Sequence, residues 1–244
     1  MSGLGWVAPI LSGVGLNEEM VAESGHSVPA RRQVALLDRA ATALGDDCLG
    51  FTLAQDFDPR ELGLLFYVMA SSRTLGDAIQ RIARYSAITN DSLVFSVPES
   101  GAMALRLTYV GVPRHSDRHQ AEFCIFGAIR LCRLLTGATL VPQRVSIAHH
   151  RSGDISAMSR FAGTTVEFGA HSDELVLPAE ARERPVVNAD PYLNDLMLSY
   201  CEAALSSRAS NASPLRVIVE NAIAPLLPPC ALARPGGVPW PCAG

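Results

Sequence analysis

Three side chains of types that bind metal ions lie between positions 115 and 122. His115, His119 and Glu122 are four and three residues apart, a spacing that would place them on one helix face, as in a zinc site. However, Pro113 and Asp117 favour a helix that begins after His115, which would break that face. The sequence therefore predicts no metal site, and we expect these polar residues to be exposed in the first helical turn.

Two of the polar residues in this part of the chain have alternative interpretations. Glu122 is expected to form a structural ion pair with Arg118 or Arg106. His149 ends a predicted strand, where it could be a half-buried histidine whose hydrogen bonds are satisfied within the fold. It could instead be a polar group at the mouth of a ligand pocket.

No pattern typical of a catalytic centre occurs in the sequence. Cys124 and Cys132 share one face of an apolar helix, which indicates core residues rather than a redox pair. The Gly-x-Ser-x-Gly, Walker, His-Glu-x-x-His and Gly-x-Gly-x-x-Gly motifs are all absent. We therefore expect neither an enzymatic activity nor a cofactor.

Composition and charge exclude several classes of protein. The 244 residues are 48% hydrophobic and 18% charged, which is typical of a packed globular chain. All 20 basic residues are arginines, and 24 acidic residues bring the net charge to −4, so the basic surface of a nucleic-acid-binding protein is not expected. The sequence has no apolar run that could span a bilayer and no basic N-terminal stretch typical of a signal peptide. A cytoplasmic location, with no membrane association and with the six cysteines reduced, is the prediction.

Hydrophobic periodicity predicts a series of helices, and Thr74 and Asp77 form a pattern that resembles a capping box. We expect Leu49 to Ala54 to be an apolar connector rather than a helix. The predicted helices are Val7 to Val21, Arg31 to Leu44, one that starts at Asp58-Pro59, one that starts at Thr74, Asp117 to Thr136, Asp154 to Phe161, and Tyr192 to Leu205. In the last of these the expected inward residues are Leu193, Leu196, Met197, Tyr200 and Ala204.

Strands are predicted where the period changes from helical to alternating. Leu93 to Val97 and Met103 to Tyr109 read as a hairpin around Pro98-Glu99-Ser100-Gly101. Further strands are expected at Arg144 to Ala148, Thr165 to Phe168 and Glu174 to Leu177. The predicted class is α+β, with N-terminal helices followed by a small, mostly antiparallel sheet packed against helices.

Two blocks of the chain carry motifs of a known family. Between positions 49 and 91 there are a Leu-Gly-x-x-Leu-Ala turn, a Leu-Gly-Leu-Leu-x-Tyr run, and a Ser-Ser-x-Thr-Leu-Gly-x-Ala helix start whose helix ends in Ala83-Arg84-Tyr85. The second block contains Val145-x-Ile147-x-His149, Phe161-x-Gly163, Val166-x-Phe168, Leu175-x-Leu177-Pro178, Pro185 and Asp190. Together they resemble the effector-binding domain of AraC/XylS-type bacterial transcription regulators, in the branch called arabinose-binding.

The resemblance implies a division of the chain into three parts. Residues 1–208 would be the effector-binding domain, and 209–224 the first helix of the family's DNA-binding domain. Residues 225–244 would be a disordered tail rich in proline and glycine, either a natural linker or an out-of-frame end. The helix-turn-helix is then expected to be missing, and DNA binding, although expected of the family, is not expected of this chain alone.

The resemblance also implies a transcription regulator that responds to an unidentified small-molecule effector and that could form a homodimer. The label "arabinose-binding" names the domain and does not imply arabinose. A pocket is expected between the sheet and the long helices, and the candidate ligand-binding residues are Tyr85, Arg106, Tyr109, Arg130 and His149. The alternative is a stand-alone small-molecule-binding protein or enzyme on the same α+β layer, with His149, Glu122 and Cys124 as its site.

Overall fold

The structure, a computed structural model, describes residues 7–22, 28–90, 92–98, 103–110, 112 and 116–210. The chain divides into two compact units, Met1–Ala203 and Ala204–Gly244, and the features discussed below lie in the first. The helices are α1 Val7–Ser12, α2 Glu18–Ala22, α3 Ala30–Leu44, α4 Leu49–Asp56, α5 Leu64–Ala70, α6 Leu75–Tyr85, α7 Arg118–Thr136, α8 Ser156–Ala162 and α9 Pro191–Ser210. The strands are β1 Leu93–Ser96, β2 Met103–Tyr109, β3 Arg144–Ile147, β4 Val166–Phe168 and β5 Asp173–Leu177.

The strands form one five-stranded sheet in the order β1-β2-β5-β3-β4. β1 and β2 make the predicted antiparallel hairpin, with Leu93 opposite Tyr109. β5 lies between β2 and β3 and is antiparallel to both. β4 is parallel to its neighbour β3. The predicted α+β class, with a mostly antiparallel sheet packed against helices, is confirmed.

Helices α4 and α7 pack at very short range. A Cβ atom at position 50 would lie 2.0 Å from the carbonyl oxygen of His119, so glycine is required there for the backbones to approach. The rings of Phe51 and Phe126 then meet edge to face, with centroids 4.8 Å apart. The prediction of a connector at 49–54 was wrong, because these apolar residues form a helix whose buried side packs on α7.

Local sequence signals set the ends of α5 and α6. Asp58 accepts a hydrogen bond from the Arg60 backbone N–H at 3.0 Å and opens a short 3-10 turn, Pro59–Leu62. Gly63, with φ of 58°, ends that turn, so the single predicted helix becomes a turn followed by α5. At the start of α6 the predicted capping box between Thr74 and Asp77 is confirmed in both directions.

Helix α9 confirms part of the inward face that the sequence predicted. Leu193, Met197 and Ala204 are half-buried, as expected, and Cys201 is fully buried. Leu196 and Tyr200, also expected to face inward, are instead 42% and 56% exposed. The prediction was wrong for these two, and the polar residue Asn194 contributes an inward contact instead, since its side-chain amide donates to the carbonyl oxygen of Val68 at 2.9 Å.

The remaining predictions concern the two ends of the chain. The predicted helix Val7 to Val21 is two short helices, α1 and α2, separated at Gly15, where φ is 72°. Residues 211–244 lie outside the described residues, and so do the tip of the β1–β2 hairpin at 99–102 and His115. None of the described helices combines the length and hydropathy that crossing a bilayer requires.

Candidate functional site

An apolar cavity of about 190 Å³ lies between α7, the start of α5, the end of α6 and strand β1. Each of these elements contributes part of the wall, so the cavity exists only in the assembled fold. The residues that line it are Phe57, Leu62, Leu65, Ile82, Thr89, Asn90, Leu93, Phe95, Gln120, Phe123, Cys124, Gly127, Ala128 and Leu131. None of these described lining residues carries a formal charge.

Two aromatic rings form a fixed corner of the cavity wall. Phe57 and Phe123 meet edge to face, with centroids 5.2 Å apart and ring planes at 74°. Phe95 of β1 is a third aromatic lining residue and is buried. The corner therefore presents flat apolar surfaces, which are suited to a ring or a short hydrocarbon chain.

A few polar residues also belong to the lining or contact it. The Gln120 side-chain amide donates to the Cys124 sulfur at 3.5 Å, a long and weak contact. Asn90 donates from its side-chain amide to Gln33 at 3.0 Å and to the Tyr109 hydroxyl at 3.2 Å. Burial raises the pKa of the Cys124 thiol to about 12 and also raises the pKa of Tyr109, so both groups are neutral at physiological pH.

Gly127 leaves open space in the cavity. It lies in the middle of α7, and a Cβ atom added there would meet no heavy atom within 4 Å. A glycine inside a helix is usually explained either by close backbone packing, as at Gly50, or by a special backbone conformation. Neither applies at Gly127, whose missing side chain contributes volume to the cavity.

None of the five candidate residues predicted from the sequence lines the cavity. Each of the first four contacts a different part of the protein. Tyr85 ends α6 and donates a hydrogen bond to Glu202 of α9 at 2.6 Å. Arg106 of β2 pairs with Glu174 at 3.0 Å. Arg130 donates to the carbonyl oxygens of residues 54 and 55 at the end of α4. Tyr109 is adjacent to the cavity, since it contacts the lining residue Asn90.

The fifth candidate, His149, belongs to a buried ionic cluster. Its Nε2 atom lies 3.0 Å from the Glu122 carboxylate, although the alignment is poor for a hydrogen bond. Arg151 donates from Nε to the same carboxylate at 2.7 Å and from Nη1 to Asp47 at 3.1 Å. Burial raises the pKa of Glu122, but the close approach of His149 and the hydrogen bonds from Arg151 outweigh it and hold the pKa below its usual value.

This cluster corrects two expectations. Glu122 and His119 were expected to be exposed, but Glu122 is fully buried and His119 is 1% exposed. Glu122 was also expected to pair with Arg118 or Arg106, whereas its partner is Arg151, and Arg118 pairs with Asp47 at 2.8 Å. The expectations for Glu122 failed because the loop after β3 brings Arg151 to the start of α7, and His119 is buried because α4 packs on it at Gly50. Local spacing reveals neither long-range contact.

His119 and the two buried cysteines show no metal-binding arrangement. His119 Nδ1 accepts a long hydrogen bond from the Gly50 N–H at 3.4 Å, and burial lowers its pKa. Within the described residues no group of three or more His, Cys, Asp or Glu side chains could hold a metal ion. Cys124 and Cys132 are both buried, as predicted for core residues.

A wider groove of about 770 Å³ lies on another side of α7, and Arg130 is among its lining residues. Three large apolar side chains in it, Tyr67, Leu134 and Val187, are exposed. It also contains charged residues from the turn after α4, among them Asp58 and Arg60. This groove contains charged side chains, whereas the described lining of the smaller 190 Å³ cavity has none, and both are partly open to solvent.

Comparisons with known proteins give a consistent result. Residues 6–186 match the family described as the N-terminal arabinose-binding domain of AraC transcription regulators. The chain is 26% identical over 205 residues to the ornithine utilization regulator of Pseudomonas aeruginosa, a match that covers 83% of this chain and 58% of that protein. Its fold is similar to that of the solved transcriptional regulator CdpR from Pseudomonas aeruginosa, with a TM-score of 0.56 and 18% identity over 75% of this chain and 60% of the other. The chain thus spans less than two thirds of both relatives.

Proposed function

Because its residues 6–186 match that family, the chain belongs to the arabinose-binding-domain family of AraC-type transcription regulators, and we propose that it senses a small-molecule effector. The proposed effector site is the 190 Å³ cavity between α5, α6, β1 and α7. The observation that carries this proposal is the uncharged and largely apolar lining of this half-open cavity, beside which the Cβ position of Gly127 is unoccupied.

The proposal includes a physical route from the cavity to the end of the effector domain. Ile82 lines the cavity on α6, and Tyr85 lies one turn further along the same helix. Tyr85 and Arg84 both donate to the Glu202 carboxylate of α9, at 2.6 and 2.8 Å. An effector that changes the position of α6 would change the hydrogen bonds between α6 and α9. Helix α9 leads toward the C-terminal part of the chain.

Roles in effector binding for the five candidates from the sequence remain predictions. Tyr109 is best placed among them, because it fixes Asn90 in the cavity wall. In this proposal Tyr85 transmits the signal rather than touching the effector. For Arg106, Arg130 and His149 the partners in the structure are protein groups.

We also propose that the exposed face of α9 mediates a homodimer. Tyr192, Leu196 and Tyr200 are spaced four residues apart and are 83%, 42% and 56% exposed, so they form an apolar stripe along one face. Exposed apolar stripes of this kind are typical of protein–protein interfaces. Dimers are a common state of regulatory proteins, and the two-fold arrangement would pair the stripe with itself.

The effector proposal can be tested by blocking the cavity. Gly127→Leu should fill it without disturbing the α7 backbone, because space for a Cβ is available. Gly153→Leu is the matched control, since Gly153 is an exposed loop residue with the same free space around its Cβ position. A screen of candidate effectors by thermal unfolding should give ligands that stabilise the wild-type protein and the control but not Gly127→Leu. A specific ligand that stabilises all three proteins equally would place the effector site elsewhere.

A further inference from the structure

We infer that the cavity takes an uncharged, single-ring aromatic molecule that carries one hydrogen-bonding group, such as a hydroxyl. This inference rests on the proposed effector function of the same cavity. It is drawn from the size of the cavity, the absence of charge in its described lining, and the hydrogen-bonding state of its few polar groups.

Size limits the ligand to about one ring. An apolar protein cavity of about 150 Å³ holds benzene. The present cavity measures about 190 Å³, which leaves room for a ring and a small substituent. A two-ring or long-chain ligand would exceed this volume and would leave part of its apolar surface outside the cavity.

The lining also selects against charged and highly hydroxylated ligands. A charged amino acid brought into the cavity would lose its hydration and find no counter-charge among the described lining residues. A sugar would bring several hydroxyl groups, each of which needs a partner once it is buried. The lining offers few polar side chains, and most of its surface comes from phenylalanine, leucine and isoleucine.

Among those polar side chains, Gln120 is the one whose hydrogen-bonding capacity is used least by the residues that the structure describes. Asn90 donates to Gln33 and Tyr109, and its oxygen accepts from the Ser92 N–H at 3.0 Å. Thr89 donates to the carbonyl oxygen of residue 86 at 2.9 Å. Gln120, by contrast, makes only the weak 3.5 Å contact to a sulfur among the described residues. A ligand hydroxyl near Gln120 could therefore donate to its side-chain oxygen.

The aromatic corner complements this polar group. A ring inserted beside Phe57 and Phe123 would meet one ring face and one ring edge, the arrangement that aromatic pairs prefer. Gln120 and Phe123 are both on α7, three residues apart and thus on the same side of the helix. One small molecule can therefore contact the Phe57–Phe123 corner and the Gln120 amide at the same time.

The experiment compares four probes on the full chain: 4-methylphenol, toluene, L-ornithine and L-arabinose. Binding is measured by calorimetry and ligand-observed NMR at about millimolar concentration, which suits fragments of this size. We expect 4-methylphenol and toluene to bind and the two polar probes not to bind. Gly127→Leu should weaken both neutral probes by about tenfold or more, and Gly127→Ala by less, because a methyl group fills only part of the space. Gly153→Leu should bind as the wild type does.

A second variant tests the hydrogen bond. Gln120→Met keeps a similar side-chain volume but removes the amide. It should weaken 4-methylphenol by about three- to tenfold, the value of one neutral hydrogen bond, and leave toluene binding unchanged. Equal loss of both probes would contradict the role of Gln120. Circular dichroism of each variant verifies that it is folded.

The outcomes separate this inference from the effector proposal. If L-ornithine or L-arabinose binds more tightly than the neutral probes and Gly127→Leu abolishes that binding, the cavity is the effector site but the ligand class is wrong. If neutral probes bind and Gly127→Leu leaves their affinity unchanged, the cavity is not their site and the present inference fails, while the effector proposal is decided by its own test. If no neutral probe binds, the ligand class is wrong.

Discussion

At the scale of single residues, Gly127 carries a cost in stability that its surroundings do not require. Glycine in a helix interior is less stable than alanine by about 0.5–1 kcal/mol. At Gly127 a methyl group would meet no neighbouring atom. The glycine therefore lowers the helix propensity of α7 and leaves the space beside it, at the cavity, open.

Gly127→Ala should stabilise the protein by about 0.5–1 kcal/mol, since it improves helix propensity without a clash. Gly50→Ala, the matched substitution, should destabilise it by about 2 kcal/mol or more, because its Cβ would overlap the His119 carbonyl oxygen. Urea unfolding followed by circular dichroism measures both changes. Destabilisation by Gly127→Ala would show that the space beside the helix is absent.

The Glu122 cluster makes a prediction about pH. Because the folded pKa of Glu122 lies below the usual 4.5, its contribution to stability is present above about pH 4.5 and is lost as the pH falls through the lowered pKa. Glu122→Gln should destabilise the protein at pH 7 by about 3 kcal/mol, because it leaves Arg151 buried with less compensating charge. The variant should also lose less stability than the wild type between pH 5 and 3, in an unfolding series across about that range.

A matched control separates this effect from general acid unfolding. Glu180 is an exposed carboxylate outside the cluster. Glu180→Gln should follow the wild-type stability at each pH. If Glu122→Gln shows the same acid sensitivity as the wild type, the cluster does not determine the acid response.

At the scale of elements, the sequence predicted the helices and strands whose signals lie in neighbouring residues. The predictions were wrong where contacts between distant parts of the chain determine the structure. The capping box of α6 and the apolar period of α7 are written in neighbouring residues, and both were predicted correctly. Helix α4 was missed because eight residues carry too little periodicity to be distinguished from a connector. The orientation of α9 depends on Asn194 reaching the end of α5, a contact that no local pattern encodes.

Asn194 should therefore matter more to stability than the larger residues beside it. Its amide donates to the Val68 carbonyl at 2.9 Å and to the Ser71 hydroxyl at 3.1 Å. Asn194→Ala should cost about 1–2 kcal/mol, since it leaves a buried carbonyl without this donor. Leu196→Ala, at an exposed position of the same helix, should stay within about 0.5 kcal/mol of the wild type. Thermal or urea unfolding compares the two, and the reverse order would show that Leu196 faces inward, as the sequence predicted.

The candidate cavity was less predictable than the fold. A pocket between the sheet and the long helices was expected, but its lining residues come from five separate parts of the sequence. Gly127 contributes to the cavity because it has no side chain, and the absence of a side chain gives no periodic signal in the sequence. Polar residues such as Arg106 and His149 stood out in the sequence, yet in the structure their partners are protein carboxylates.

At the scale of the whole molecule, the α9 stripe predicts self-association. Leu196→Asp places a charge in the middle of the stripe, where it should weaken an apolar interface and leave the fold intact because the position is exposed. Light scattering at about tens of micromolar should show a dimer for the wild type and a monomer for the variant, a concentration at which interfaces of micromolar affinity are populated. A wild-type protein that is monomeric under these conditions contradicts the proposed interface.

The overall charge predicts weak interaction with DNA. With a net charge of −4 the chain lacks the excess of basic residues that neutralises phosphates. The purified chain should not retain promoter DNA sequence-selectively at physiological salt, in an electrophoretic mobility assay. Tight and selective retention would show that a local basic surface overcomes the net charge.

The position of β5 in the middle of the sheet has a consequence for the order in which the protein can be made. β1 and β2 emerge from the ribosome first and β3 and β4 later, but these pairs are not joined until β5 is inserted between β2 and β3. Until residue 177 has been synthesised, a nascent chain therefore exposes two unpaired strand edges, which can pair with other chains. The central strand of the sheet is therefore the last of the described strands to be translated, and the edges of β2 and β3 that it joins stay unpaired until then.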